Sequence, residues 1–110
     1  MADSLIDPAT FAELRDAVGQ EFLAELVDTF LVEAPTLLAT LQSAAAEGDA
    51  DSYRRAAHSL KSNSSTFGAL GLAAMAREHE LNGATATPPR ETLEATYESA
   101  ASELKDLCNG

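Results

Sequence analysis

Residues 20–46 read QEFLAELVDTFLVEAPTLLATLQSAAA, and the apolar spacing of this stretch decides the fold class. At about 100° per residue, Leu23, Leu26, Val27, Phe30, Ala34, Leu37, Leu38, Leu41 and Ala45 fall within a narrow sector, as in a helix that buries one stripe. Pro35 lies inside the stretch and lacks a backbone donor, which predicts a kink and two half-helices. Glu47-Gly48-Asp49 supplies the stop.

Upstream, Asp7-Pro8 has the form of an N-cap followed by proline at the first helical position, and Gly19 offers an end. A short helix over Pro8 to Val18 follows, with Phe11 and Leu14 on one side. Downstream, a helix is predicted over Asp51 to Phe67, ending at Gly68, and another over Leu70 to Leu81, stopping at Asn82-Gly83. Ala84 to Thr87 reads as a loop. Pro88-Pro89 opens the last helix, where Leu93, Tyr97, Ala100, Leu104 and Leu107 form one stripe before Asn109-Gly110. No stretch shows strand alternation, an internal repeat or low complexity. The expected fold is all-α: an up-and-down antiparallel four-helix bundle with a short additional N-terminal helix, one domain over residues 1–110.

Composition agrees with a bundle and excludes several functions. The chain has 110 residues, is 45% hydrophobic, and contains four Phe, two Tyr and no Trp, so the core must come mainly from Leu and Ala. A formal charge of -11 disfavours sequence-independent binding to a phosphate backbone, so nucleic acid is not an expected partner. No stretch approaches the ~20 unbroken apolar residues of a membrane span, and Met1 to Asp7 lacks the basic residues and apolar run of a signal peptide. The single cysteine, Cys108, has no disulfide or metal-binding cysteine partner, which fits a reducing compartment. A soluble, cytoplasmic protein is expected, and Met1 with the compact ends favours a free-standing one.

The helix over Asp51 to Phe67 carries the chemistry. Tyr53, Ala57, Leu60, Ser64 and Phe67 share one side, while Asp51, Arg54, Arg55, His58, Lys61, Ser62 and Ser65 share the other. His58 lies at the centre of the polar side, about 160° to 180° from Leu60 and Phe67, and is expected to face solvent. Asp51 to Ser65 sums to +2 and the rest of the chain to -13, so the locally basic surface surrounds the histidine. An exposed imidazole suits exchange between nucleophile and protonated form near neutral pH. Lys61 and Ser62, at i+3 and i+4, can offer a positive charge and a hydroxyl to an anion on the ring. The small Ser62 and Ser65 leave room for a second protein to approach. Arg54 and Arg55 flank the histidine as candidate docking residues, and Phe22, off the buried stripe, is a candidate for an apolar docking patch or for packing on the first helix.

From Ala57 the chain reads Ala-His-Ser-Leu-Lys-Ser-Asn-Ser-Ser-Thr-Phe-Gly-Ala. This string resembles the histidine-phosphotransfer (HPt) family around its His-x-Leu-Lys motif and downstream Gly-Ala. Leu14, Phe22, Leu26, Phe30, Leu37 and Leu41 also fall in the family's spacing, and Leu72, Met75 and Glu80 suit its following helix. The resemblance implies a four-helix bundle, phosphorylation at His58 on the outer ring nitrogen, a lysine at Lys61 that helps hold the phosphoryl group, and packing by Leu60. It also implies relay of the phosphoryl group between aspartates of receiver domains, with response-regulator receivers or a hybrid sensor histidine kinase as partners. Neither a Gly-rich loop followed by Lys nor a kinase-like motif set is present, so no ATP site of its own is expected, and Mg²⁺ is expected on the receiver. A monomer and a small, transient interface are expected.

Two positions depart from the family pattern. Ser62 stands where many members have glycine, and His79 where leucine is frequent. His79 falls among Leu72, Met75 and Ala76, which predicts a hydrogen-bonded core or boundary residue. Other readings of the chain are a non-catalytic helical adaptor, an acyl carrier-like bundle through Asp3-Ser4-Leu5, and a metal site from His58 and His79, which has no third ligand signal.

Overall fold

Helix ends are set by side-chain caps and by glycine. The computed structural model describes residues 5–109, and these are helical in α1 (Pro8–Val18), α2 (Gln20–Glu47), α3 (Ala50–Thr66), α4 (Leu70–Asn82) and α5 (Arg90–Asn109), with a 3-10 turn at Gly83–Thr85. Asp7 caps α1, its carboxylate accepting from the Thr10 amide at 3.1 Å and the Thr10 hydroxyl at 2.6 Å. Asp49 caps α3 in the same way through Ser52, at 3.1 and 2.7 Å. These bonds to the ionised form hold both aspartates below the ordinary aspartate range.

α2 runs unbroken through Pro35, so the two half-helices expected from the sequence do not form. A proline deletes one hydrogen bond, to the carbonyl four residues earlier. Here that carbonyl belongs to Leu31, and the Tyr97 hydroxyl of α5 points to it at a long 3.5 Å. Ala34, Leu38 and Leu41 are buried on both sides of the proline, so packing carries the helix across the gap.

The core is the stripe read from residues 20–46 closed by the other helices. Leu23, Val27, Phe30, Ala34, Leu38 and Leu41 are buried, while Leu26, Leu37 and Ala45 pack at its margin. Phe30 meets Phe67 at 5.2 Å between ring centroids and Tyr97 at 5.8 Å, the latter edge-on. Leu60, Leu72, Leu93 and Leu104 complete the interior. Leu107, expected on the buried stripe of α5, is 40% exposed. Cys108, one turn beyond Leu104, takes the inward place, and its carbonyl accepts from the Gln20 side chain at 3.3 Å. α5 starts at Arg90, two residues later than its prolines suggested, and a 3-10 turn occupies part of the expected loop.

The turn between α3 and α4 is locked to the N-terminal segment. The Asp7 amide donates to the Gly68 carbonyl at 2.7 Å. Gly68 has φ +81°, and a Cβ there would lie 3.0 Å from the Asp7 carbonyl oxygen and 3.1 Å from Thr10 Cβ. Glu103 of α5 secures the same segment, accepting from the Leu5 and Ile6 amides at 3.0 and 2.9 Å.

Two stability outcomes follow from these contacts. Gly68→Ala combines a positive φ with a backbone collision and should lower unfolding free energy by about 2 kcal/mol or more in chemical denaturation. Ser64 has a buried hydroxyl with no hydrogen-bond partner among the described residues, so Ser64→Ala should raise stability by about 1 kcal/mol. A less stable Ser64→Ala protein would mean that the hydroxyl is satisfied.

Candidate functional site

α3 splits as its sequence predicts. Tyr53, Ala57, Leu60 and Ser64 are buried, as is Phe67 just past the helix, while Asp51, Arg54, Arg55, His58, Ser62 and Ser65 are exposed. The His58 side chain is 56% exposed. Its solvent-facing position follows from the helix phase, because Leu60 on the far side is fully buried.

The ring is held from the neighbouring helix. Glu80 of α4 places Oε2 2.8 Å from His58 Nδ1 and Oε1 2.9 Å from Lys61 Nζ. The Lys61 ammonium and the His58 hydrogen bond hold the Glu80 carboxyl below its ordinary value of 4.5, against the opposing effect of burial. An ionised carboxylate only accepts, so Nδ1 carries the ring proton in the neutral imidazole. Nε2 then keeps its lone pair. That nitrogen belongs to an exposed ring tethered at its other end, the arrangement needed for attack on an incoming electrophile.

His79, the residue before Glu80, is fully buried. Its Nε2 lies 2.7 Å from the Pro88 carbonyl oxygen, an acceptor, so Nε2–H donates there. Nδ1 accepts from the Tyr53 hydroxyl at 2.7 Å. The sequence expectation of a hydrogen-bonded core histidine agrees with this pair. The bonds tie α4 to α3 and to the segment before α5, next to the residue that orients His58.

The polar face of α3 is less basic than the sequence count suggests. Arg54 and Arg55 both pair with Asp51, at 2.9 and 3.1 Å, and Lys61 pairs with Glu80. Including Glu80 brings the local sum from +2 to +1. Ser62 lines an open groove of about 450 Å³ between α2 and α3, together with His58 and with Val32, Glu33, Thr36 and Leu37 of α2. Ser65 is exposed further along α3 and does not line this groove. Phe22 is 50% exposed and lines a separate hollow with Val18 and Gly19 where α1 turns into α2.

Sequence reading did not single out Glu80 as the partner of His58, nor the α2 wall of the groove. Val32 carried the available signal, being an apolar residue outside the buried sector of α2; it is 71% exposed. Among the described residues no group of three or more His, Cys, Asp or Glu could hold a metal ion, and no helix is long and apolar enough to cross a membrane. Ser4, the attachment residue of the acyl carrier-like reading, lies outside the described residues.

A family model for the Hpt domain matches residues 25–109. The chain belongs to the Hpt domain family. A crystal structure of histidine-containing phosphotransfer protein B (HptB) from Pseudomonas aeruginosa PAO1 superposes with a TM-score of 0.88 at 27% identity, covering 98% of this chain and 97% of that one. No significant match is found among curated proteins. The Hpt domain works as a phosphorelay carrier, and domains of this family interact with receiver domains and histidine kinases.

The Glu80 geometry has a measurable pH signature. Because its folded pKa lies below the unfolded value of 4.5, its stabilising contribution is present above that value and is lost as pH falls through the folded pKa. Glu80→Gln should therefore be less stable than wild type at neutral pH, with the difference shrinking in thermal melts taken progressively below pH 4.5. A constant difference across that range would contradict the assignment.

Proposed function

We propose that His58 is the phosphorylated residue and that Nε2 is the atom that carries the group. The observation that carries this reading is the 2.8 Å contact between Glu80 and Nδ1, which leaves the exposed nitrogen as the nucleophile. In the forward step the Nε2 lone pair attacks the phosphorus of an aspartyl phosphate on a receiver domain. The Nε2–P bond forms as the P–O bond to the aspartate breaks, and the aspartate leaves as a carboxylate. The Nδ1 proton stays on the ring, where Glu80 compensates the positive charge that phosphorylation of Nε2 creates. The reverse sequence on a second receiver delivers the group and restores the neutral imidazole.

Lys61 shares the Glu80 carboxylate with His58, so a cation stands beside the ring before any phosphoryl group arrives. A phosphoryl group on Nε2 brings further negative charge to the same place and competes with Glu80 for that ammonium. Ser62 can add a hydroxyl from the following position of the helix. The chain has no ATP step in this scheme, and Mg²⁺ belongs to the receiver. Response-regulator receivers or a hybrid sensor histidine kinase are the proposed partners, with Arg54, Arg55 and Ser65 at the rim of the contact and Phe22 peripheral. The protein is read as a cytoplasmic monomer with one domain over residues 1–110. Its helices α2 to α5 are read as an up-and-down bundle to which α1 adds, supported by packing of α2 on α3, α3 on α4, α4 on α5 and α5 on α2.

Phosphotransfer from a labelled receiver domain tests this reading. Wild type should take an acid-labile, alkali-stable label that His58→Gln does not, and label retained by the variant would refute the assignment. Lys61→Ala should remain folded and transfer about 10- to 100-fold more slowly. An unchanged rate would show that Lys61 does not serve the transferred group.

A further inference from the structure

We propose that Glu33 is a specificity-determining residue: a receiver domain that docks over His58 must place a lysine or arginine against it. The inference rests on the reading of His58 as the phosphorylated residue and adds the kind of partner face that the site accepts.

Glu33 and His58 line the same groove from opposite helices, so a protein that brings an aspartate to Nε2 covers the groove wall as well. Among the described residues Glu33 has no ion-pair partner. The cations of α3 are engaged elsewhere, Arg54 and Arg55 with Asp51 and Lys61 with Glu80. Its carboxylate is exposed, so in the free protein it is solvated by water. Docking removes that water.

A carboxylate desolvated without a counter-charge is costly, and a partner that supplies a cation avoids the cost. The same group therefore rejects one class of partner and favours another, which is how specificity arises from a difference of affinities. Val32, next in sequence and 71% exposed, offers an apolar contact beside the charge. The matching face is an acidic phosphorylation site opposite His58 with a basic residue, bordered by apolar surface, opposite Glu33. This alternation also fixes orientation, since a partner rotated about His58 would carry its basic residue away from Glu33.

Kinetics with purified receiver domains test the proposal. Wild-type protein is first labelled with phosphoramidate, a small donor that needs no docking, and transfer to each receiver domain encoded in the same genome is then followed. For the receiver that accepts label fastest, Glu33→Lys should raise KM by about tenfold or more, with Glu33→Gln smaller and in the same direction. Reversing the facing basic residue of that receiver to glutamate should restore transfer from Glu33→Lys and impair transfer from wild type. Circular dichroism melts establish that each variant is folded. A wild-type KM for folded Glu33→Lys overturns the role of Glu33 while leaving His58 in place. A His58→Gln protein that still takes label and passes it to a receiver overturns the reading of His58, and this inference with it.

Discussion

One carboxylate organises the site. Glu80 reaches from α4 to α3 and engages two residues one helical turn apart, His58 through Nδ1 and Lys61 through Nζ. Its ionised state dictates the tautomer of the ring, and the tautomer leaves the lone pair on Nε2 of a ring that the helix phase exposes. The orientation of the His58 ring thus depends on the relative placement of two helices. That placement is secured beneath the surface, where buried His79 binds the Tyr53 hydroxyl on α3 and the Pro88 carbonyl before α5.

The remainder of the fold makes this placement reproducible. Asp49 sets the start of α3, and Leu60 and Ala57 fix its rotation by burial. Gly68 permits the tight turn into α4 and receives the N-terminal segment against its backbone. The aromatic cluster of Phe30, Phe67 and Tyr97 joins α2, the end of α3 and α5 at the centre of the molecule. The polar cluster itself is small: one exposed histidine, one carboxylate that orients it and one lysine that shares the carboxylate.

Much of this was legible in the residues. Local rules placed the start of α1 at Pro8, and helical periodicity placed His58 opposite Leu60. Relations between helices were less accessible. Glu80 is 22 residues from His58, and a helical wheel drawn for either segment contains no information about their register. Pro35 misled because a local rule counts the lost hydrogen bond but not the packing on either side. Leu107 misled because its apolar character suits the stripe, whereas the inward place one turn beyond Leu104 falls to Cys108. The surplus of positive charge on α3 was real along the chain and smaller in space, once Glu80 entered the same surface.

The central claim is that Glu80 holds the proton on Nδ1 and so reserves Nε2 for the phosphoryl group. Nitrogen-15 NMR of the His58 ring, recorded before and after labelling with phosphoramidate, measures both points directly. The account predicts a protonated Nδ1 and an unprotonated Nε2 in the free protein at a pH where the ring is neutral, and phosphorus coupling at Nε2 after labelling. A ring protonated at Nε2 in the free protein, or phosphorus bound at Nδ1, would contradict it.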